Sequence, residues 1–314
     1  KPDAGGTTAD WAKISQATAG TIAASGGATG IDSARVSAVF NGSLYVGTED
    51  TGGAEVYRFD GGTTWSRVNT AVGQFQTTTA ITSVASMIVY NGNLYIGTGK
   101  TGAAEIYRYD GGTTWTKVTN ATAGTIGATT AIDNVMSMVV NNGTLYAGTN
   151  KSNAAGVYRY DGGTTWTLVN TAAGQFQTTT AIDQAFTMVS YNNLLYIGTY
   201  DATALAEVYR YDGGLTWTRV NIAAGQFQTT TGIDGVRSIA VYNGSLYLGT
   251  YDATALAEVY RYDGGTNWTR TNTAAGQFQT TTGIDGVKSL VSYNGSLYIG
   301  TEESGSAEVY RYDG

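Results

Sequence analysis

Two short loops carry residue types suited to the recognition of a sugar. Both read Tyr-Asp-Ala-Thr-Ala-Leu, one starting at Tyr200 and the other at Tyr251. A tyrosine ring can stack on the C–H face of a pyranose, and a carboxylate accepts hydrogen bonds from sugar hydroxyls. We therefore predict a ligand-binding site made by Tyr200, Asp201, Tyr251 and Asp252. The alternative is neutral drift, because exposed loops tolerate substitution.

A second candidate site is one aligned position in six successive repeats. Counted back from the Asn-Gly turn of each repeat, this position holds Arg35, Ala85, Met136, Phe186, Arg237 and Lys288. The three bases come from repeats five, six and one, which would be neighbours in a closed ring. We predict that this arc, near the mouth of a central channel, attracts an anionic group such as a carboxylate or sulfate. The alternative is that each base pairs with the aspartate three residues before it, namely Asp32, Asp234 and Asp285.

Composition excludes several other chemistries. The 314 residues include no cysteine and no histidine, which removes thiolate nucleophiles, disulfides, the usual zinc sites and a histidine base. The acidic loops could bind calcium, but they contain no dense run of oxygen ligands, so we assign no metal site and no cofactor. A net charge of −7 without a basic stripe argues against nucleic acid as a partner. No apolar run reaches the ~18 residues that membrane insertion requires.

These candidate sites are positioned by a repeat of about 51 residues, marked by regularly spaced tryptophans. They are Trp11, Trp65, Trp115, Trp166, Trp217 and Trp268. In the repeat at 236–272, four β-rich runs indicate four antiparallel strands. The runs are Val236–Tyr242, Ser245–Thr250, Ala257–Tyr262 and Trp268–Thr271. The first two flank Asn-Gly, which favours a type I′ hairpin turn.

The termini favour a ring over an open stack of repeats. Residues 9–15 resemble a lone fourth strand, and the sequence ends after a third strand at Gly314. We therefore predict an all-β, six-bladed β-propeller over 1–314, closed by pairing of 9–15 with the last blade at 287–314. The first strands of the blades are expected to begin near Ala34, Val84, Val135, Ala185, Val236 and Val287.

The turn between the third and fourth strands carries a family resemblance. Asp60-Gly-Gly-Thr-Thr-Trp65 recurs in later repeats and resembles the Asp-box, or BNR repeat, of sialidase-type propellers. Arginine, as at Arg58, stands where that family usually has serine or threonine. The resemblance implies a propeller. Sialidase activity would also require three arginines, a Tyr–Glu pair and an aspartic acid, which we cannot assign, so we predict no catalytic residues. Kelch propellers are an alternative on period alone.

Other repeated motifs have structural explanations. Asn-Gly-Ser and Asn-Gly-Thr, as at Asn243, match a glycosylation acceptor but are explained by the hairpin turn. Phe75, Phe176, Phe227 and Phe278 recur in the loops between repeats, where Ile22 and Ile126 replace them, which predicts a buried anchor. Tyrosine pairs such as Tyr260 and Tyr262 alternate along the third strand, which predicts packing between blades.

The functional expectation is a non-enzymatic binding module, most simply a carbohydrate-binding or adhesive propeller of a secreted or surface protein. Its partners would be a glycan or other surface ligand, and several repeated sites would act together through avidity. The alternative is a structural or self-assembling bead that contacts other protein subunits in a larger extracellular or filament-forming protein. An Asp-box glycoside hydrolase is the third possibility, and it requires two carboxylates at hydrolytic spacing in one pocket.

Overall fold

The computed structural model describes residues 13–23, 26–201, 205–253, 257–303 and 307–314. The chain divides into two compact units, the first comprising residues 1–100 and 104–118, the second residues 101–103 and 119–314. Within the described ranges both units consist of antiparallel strands, so the predicted all-β class is confirmed. None of these residues belongs to a helix long and apolar enough to cross a membrane.

The first unit contains two four-stranded sheets, which we call repeats one and two. Repeat one comprises β1 (Ser33–Phe40), β2 (Ser43–Glu49), β3 (Val56–Gly61) and β4 (Thr64–Arg67); repeat two comprises β5 (Ser83–Tyr90), β6 (Asn93–Gly99), β7 (Ile106–Gly111) and β8 (Thr114–Lys117). Each strand pairs with the next strand of its repeat. The two repeats are joined where Glu49, at the end of β2, pairs with Ser83, at the start of β5.

The second unit continues the pattern as repeats three to six. Its strands are β9 (Asn134–Asn141), β10 (Thr144–Asn150), β11 (Val157–Gly162), β12 (Thr165–Leu168), β13 (Gln184–Tyr191), β14 (Leu194–Tyr200), β15 (Val208–Gly213), β16 (Thr216–Arg219), β17 (Gly235–Tyr242), β18 (Ser245–Tyr251), β19 (Val259–Gly264), β20 (Asn267–Arg270), β21 (Gln277–Phe278), β22 (Thr281–Thr282), β23 (Gly286–Tyr293), β24 (Ser296–Glu302) and β25 (Val309–Tyr312). Repeats three, four and five have four strands each, and repeat six has β23, β24 and β25. The short β21–β22 hairpin lies in the loop before repeat six.

Local sequence explains the regular turns. Asn243 and Gly244 between β17 and β18 have φ of 46° and 73°, and a type I′ turn requires positive φ at both residues. The repeated first strand begins one residue earlier than predicted, at Gly235 rather than Val236 in repeat five. The strands therefore lie where the repeat predicts them.

The core of each unit consists of buried aliphatic and aromatic side chains, and tryptophan N–H groups link it to the preceding repeat. In the first unit, Trp115 Nε1 donates a hydrogen bond to the carbonyl of Val68, in the segment that follows β4, at 2.7 Å. In the second unit, Trp268 makes the same bond to Val220 at 2.7 Å. The predicted loop anchors are buried, which confirms them as core residues: Ile22, Phe75, Ile126, Phe176, Phe227 and Phe278.

The structure describes only part of the predicted closing strand, residues 9–15. Residues 9–12 fall outside the described part of the chain, and residues 13–15 form no strand. The pairing of 9–15 with 287–314 stays a prediction.

Candidate functional site

The aligned position singled out in the sequence is a β-bulge in every first strand. In the first unit the ladder skips Arg35 and Ala85, and in the second unit it skips Met136, Phe186, Arg237 and Lys288. A bulge leaves one residue outside the ladder and redirects its side chain, and such bulges are common beside binding sites. The variable residue of each repeat is therefore the residue that the backbone releases from pairing.

Tyr200 and Tyr251 lie at the joints between repeats of the second unit. Tyr200 ends β14 and pairs with Gly235, while Tyr251 ends β18 and pairs with Gly286. A Cβ on Gly235 would lie 2.6 Å from Cδ2 of Tyr200, so the glycine makes room for the ring. The two tyrosine rings lie 6.2 Å apart between centroids, tilted by 47°. The structure therefore brings the two predicted tyrosines together.

Arg237 covers one face of this tyrosine pair. Its guanidinium carbon lies 3.6 Å from the centroid of the Tyr251 ring, a cation–π contact. Its Nη1 pairs with Glu302, which also accepts Lys288 Nζ at 3.1 Å. The Nε of Arg237 is buried without a hydrogen-bond partner among the described residues. Arg237 is thus held between an aromatic face and a carboxylate, with one buried donor unsatisfied.

The pKa of Tyr200 responds to its burial and to the charged groups around it. Burial raises the pKa of Tyr200, and the nearby Tyr251 and Asp234 add to the rise, while Arg237 opposes it. Tyr200 is thus a neutral hydroxyl at ordinary pH, able both to donate and to accept a hydrogen bond. We call Tyr200, Arg237, Tyr251, Lys288 and Glu302 the tyrosine–arginine cluster.

Asp201 and Asp252 do not lie on a free, exposed loop, and ligand binding by them stays a prediction. Both side chains are buried, with exposed fractions of 0% and 2%. The backbone explains the difference, because each aspartate follows the joint directly and its N–H continues the pairing: Asp252 donates to the carbonyl of Asp285 at 2.9 Å. In repeat one the equivalent Asp50 accepts the N–H of Gly52 at 2.6 Å, which shows the local structural use of this carboxylate. Its recurrence at position 50 was the available sequence signal.

The ion pairs that the structure shows for Arg35, Arg237 and Lys288 are with glutamates of the second strands. In the first unit Arg35 pairs with Glu49 at 3.0 Å, and in the second Arg237 and Lys288 share Glu302. The aspartates instead accept N–H groups of the loop between the second and third strands. These bonds are Thr51 to Asp32 (3.2 Å), Gly102 to Asp133 (2.6 Å), Asn153 to Asp183 (2.6 Å) and Ala253 to Asp234 (3.1 Å).

Anion binding at Arg35, Arg237 and Lys288 stays a prediction. Each base already faces a carboxylate, and an anion would compete with it. Glu49 and Glu302 were not predicted as partners because they lie one strand away, at the end of the second strand of their repeats. Their spacing of about 14 residues from the bulge is fixed by the hairpin, and it was visible in the sequence.

Four repeated glutamates, each directly before a third strand, form a buried structural set: Glu55, Glu105, Glu207 and Glu258. Glu207 and Glu258 are fully buried and pair with Arg219 at 2.8 Å and Arg270 at 2.9 Å from the fourth strand. Each also accepts the hydroxyl of the tyrosine two residues later. Burial and the neighbouring glutamate raise the pKa of these tyrosines far above the ordinary value. In the first unit Glu55 and Glu105 make the same contacts.

The turn between the third and fourth strands is held by its aspartate. Asp60 accepts Arg58 Nε at 2.7 Å and the Ser66 hydroxyl at 2.6 Å. These bonds, the serine first, lower the pKa of Asp60. Across the described residues, no three acidic side chains come together as a metal-binding group.

Comparisons with known proteins agree with a propeller. The DUF6242 beta propeller domain matches residues 11–312. Among solved structures, Trypanosoma rangeli sialidase is similar with a TM-score of 0.56 and 12% identity, over 88% of this chain and 53% of the sialidase. Its complex with sialic acid gives 0.54 and 12%, over 88% and 53%. The chain therefore spans about half the length of that enzyme. No curated protein sequence matches significantly.

Proposed function

The chain belongs to the DUF6242 beta propeller domain family, and from that premise we propose that it is a non-enzymatic carbohydrate-binding module. The observation that carries the proposal is the tyrosine–arginine cluster, in which Tyr200 and Tyr251 sit 6.2 Å apart beside a bulged arginine. Asp201 and Asp252 are buried, so the proposal rests on aromatic rings, hydroxyls and one shared carboxylate.

Each component of the cluster has a place in sugar recognition. The tyrosine rings supply apolar faces for C–H groups, and their hydroxyls exchange hydrogen bonds with sugar hydroxyls. Glu302 accepts hydroxyl protons, and Lys288, whose side chain is 65% exposed, is free to reorient toward a bound ring. Arg237 fixes Tyr251 in place, so little ordering is left for binding to impose.

Binding without catalysis is favoured by how the carboxylates are used. Glycoside hydrolysis needs two carboxyl groups with different roles facing one sugar bond. Here Glu302 is shared by two bases, and Asp234 holds the N–H of Ala253. Four of the glutamates that directly precede the third strands are buried in repeated ion pairs: Glu55, Glu105, Glu207 and Glu258. The structural similarity to a sialidase, at 12% identity, extends to the fold alone.

The proposal includes a six-bladed ring closed by residues 9–15. Trp65 Nε1 donates to the carbonyl of Ile14 at 2.7 Å, as Trp115 does to Val68 after the fourth strand of the preceding repeat. In repeat six, Val309 is 77% exposed, whereas its equivalent Val259 is 1% exposed beneath a fourth strand. Repeat six therefore has room for a fourth strand, which the proposal assigns to residues 9–15.

Cross-linking tests this closure directly. The pairing of Arg261 with Thr269 in repeat five predicts Ala12 opposite Arg311. Because the chain has no cysteine, Ala12→Cys with Arg311→Cys is expected to form an intramolecular disulfide under mild oxidation. A monomer that never cross-links would contradict closure, and a disulfide-linked dimer would show strand exchange between copies.

A glycan array tests the binding function. Wild-type protein is expected to bind a defined set of glycans, and Tyr200→Ala with Tyr251→Ala is expected to lose at least tenfold in apparent affinity. The matched control is Tyr293→Ala, which removes a half-exposed tyrosine of β23 at the Asn-Gly turn. Thermal unfolding of all variants separates lost binding from lost folding.

The outcomes distinguish the alternatives. An equal loss of glycan affinity in the control and in the double variant would show that the binding site is not at the tyrosine–arginine cluster. No binding to any glycan would favour the structural bead, for which self-association by sedimentation is the next measurement. Binding of acidic glycans alone, weakened by Arg237→Ala with Lys288→Ala, would support the predicted anion site.

A further inference from the structure

An aromatic group in the second unit closes the space between neighbouring Asn-Gly turns. At the end of the first strand of repeat five, Tyr242 contacts Tyr247 and Tyr312, with ring centroids 5.6 and 6.2 Å away. Its hydroxyl donates to the carbonyl of Gly295, in the turn of repeat six, at 3.0 Å. One tyrosine hydroxyl thus ties two turns together.

Repeat four repeats this arrangement. Tyr191 lies 5.8 Å from Tyr196, which lies 5.9 Å from Tyr262 of the next repeat. The Tyr191 hydroxyl donates to the carbonyl of Gly244 at 3.1 Å. The bond is therefore a recurrent feature of the second unit.

In the first unit the same aromatic group lacks the hydroxyl. Phe40 ends β1 and contacts Tyr45 and Tyr109, with centroids 5.9 and 6.4 Å away, and Tyr45 lies 5.7 Å from Tyr109. The rings match those of repeats four and five. Phenylalanine cannot donate to the carbonyl of Gly92, which occupies the position of Gly244 and Gly295 in the next turn.

A cavity of about 690 Å³ opens at this place. Its lining includes Phe40, Arg58, Gly92, Asn93, Arg108 and Asp110. This volume lies within the ~300–1,000 Å³ typical of small-molecule sites. The cavity stands at the Asn-Gly-turn end of the first unit, whereas the tyrosine–arginine cluster belongs to the second unit and to the loop end of its strands.

The charges around the cavity are already balanced. Arg58 pairs with Asp60 at 2.7 Å, and Arg108 pairs with Asp110 at 2.8 Å. No net charge is left over from these pairs to select an anion or a cation. Asn93 Nδ2 donates to the carbonyl of Asn91 at 2.9 Å, which leaves the second N–H and the Oδ1 of this amide, together with the carbonyl of Gly92, to meet a ligand beside the apolar Phe40 ring. This combination suits a neutral ligand that has both hydroxyls and C–H faces.

We propose that this cavity binds a neutral sugar, one hydroxyl of which donates to the carbonyl of Gly92 in place of the absent tyrosine hydroxyl. The sugar's C–H face then packs against Phe40. Asn93, which stands where repeats five and six have Ser245 and Ser296, supplies a longer polar side chain to the same ligand. The proposal does not rest on the tyrosine–arginine cluster, because the two sites share no residue.

The direct test is Phe40→Tyr, which rebuilds the bond seen at Tyr191 and Tyr242. The probes are the methyl glycosides of glucose, galactose and mannose, titrated at millimolar concentration and followed by saturation-transfer NMR. Wild-type protein is expected to bind at least one probe, and Phe40→Tyr is expected to weaken that binding at least tenfold without lowering the thermal midpoint. Tyr200→Ala with Tyr251→Ala is expected to leave this binding unchanged.

Two further variants keep the test decisive. Asn93→Ser installs the residue of repeats five and six and is expected to weaken binding severalfold, which covers the case of a poorly folded Phe40→Tyr. Tyr242→Phe removes the tie in repeat five and is expected to add binding capacity for the same probe. Failure of all three probes to bind, or equal binding by wild type and Phe40→Tyr, would overturn the proposal. Loss of binding in the Tyr200 and Tyr251 double variant would overturn it too.

Discussion

Repeats three and five, both in the second unit, share a backbone but differ in the polar group buried beside it. In repeat three the N–H of Gly156 donates to the Thr149 hydroxyl at 2.9 Å. In repeat five the N–H of Glu258 donates to the Thr250 hydroxyl at 2.8 Å. The third strand therefore begins in the same way in both repeats, and the difference is confined to side chains.

Repeat five buries a complete ionic set at this point. The Glu258 carboxylate accepts Arg270 at 2.9 Å, Thr230 at 3.0 Å and the hydroxyl of Tyr260. Since every partner is a donor, the buried charge is both paired and hydrogen-bonded, which is the condition under which such a charge is tolerated.

Repeat three has lost the acid and the base together. Gly156 replaces the glutamate and Leu168 replaces the arginine, while Tyr158 is retained. A Cβ on Gly156 would lie 2.6 Å from the Tyr158 hydroxyl, so this ring occupies the space of the missing side chain. The hydroxyl is buried without a hydrogen-bond partner of good geometry, and burial raises the pKa of Tyr158 to about 12.

The comparison teaches that the ionic set is a structural unit that can be replaced as a whole. Exchanging a buried ion pair for apolar packing is often neutral, whereas removing one member is costly. The residue type of the buried loop anchor does not decide whether the ionic set is present. The anchor of repeat one is Ile22 rather than a phenylalanine, yet Glu55 still pairs with Arg67 at 3.1 Å. Repeat three keeps its fold without the glutamate and the arginine, so we interpret this ionic set as structural. That interpretation agrees with the proposal that ligands bind at the tyrosine–arginine cluster.

The largest expected effect comes from breaking the set in repeat five. Arg270→Leu leaves the fully buried Glu258 without its cation, and we expect the free energy of unfolding to fall by about 3 kcal/mol. Urea denaturation followed by tryptophan fluorescence measures the change. Adding Glu258→Gly to Arg270→Leu copies repeat three and is expected to recover part of that loss. The recovery is incomplete because the glycine itself destabilises the folded chain by ~1 kcal/mol through its larger loss of conformational entropy. Additive losses in the double variant would contradict the view of a replaceable set.

A smaller effect is expected from the tyrosine hydroxyls. Tyr260→Phe removes a donor to a buried carboxylate and is expected to cost about 1–3 kcal/mol. Tyr158→Phe removes a hydroxyl that has no such acceptor, so its unfolding free energy is expected to stay within about 0.5 kcal/mol of wild type. Equal losses in the two variants would show that Tyr158 has a partner equivalent to Glu258.

Sequence periodicity predicted most of the fold because every repeat contains the same β-rich runs separated by the same turn residues. Asn243-Gly244 and the tryptophan spacing fixed strand positions to within a residue or two, since turn geometry and burial depend on local residue types. The short β21–β22 hairpin was not predicted, because two-residue strands carry no periodic pattern.

The sequence identified residues of the candidate site but did not predict which residues they contact. The variable residue that includes Arg237 was identified, yet its bulge was not, because a bulge is defined by the partner strand. Asp201 was expected in solvent because its segment looked like a free loop, but pairing with the next repeat buries it. Glu302 was missed because its contacts arise from a hairpin partner and a neighbouring repeat.

The smallest expected effect concerns a surface pair that both repeats retain. In repeat three Asp161 accepts Arg159 at 2.7 Å and Thr167 at 2.5 Å, and in repeat five Asp263 accepts Arg261 at 2.9 Å. Burial raises the pKa of Asp161, but the bonds from Thr167 and Arg159 outweigh it, so that pKa is lowered overall. A lowered pKa stabilises the fold above the unfolded value of ~3.9, and that contribution is lost as pH falls through the folded value.

Asp161→Asn is therefore expected to lower the unfolding free energy by less than about 1 kcal/mol at pH 7, because the pair is partly exposed. The loss should shrink only as pH falls through the lowered folded pKa of Asp161, where the wild-type carboxylate becomes protonated as well. Asp263→Asn is the matched comparison at pH 7, where a loss of similar size is expected because the turn is common to both repeats. Urea titrations at pH 7, 5 and 3 measure both variants. A loss that stays constant down to pH 3 would mean that the turn needs the aspartate's shape rather than its charge. A loss in only one variant would mean that repeats three and five differ at their surface as well as in their buried polar set.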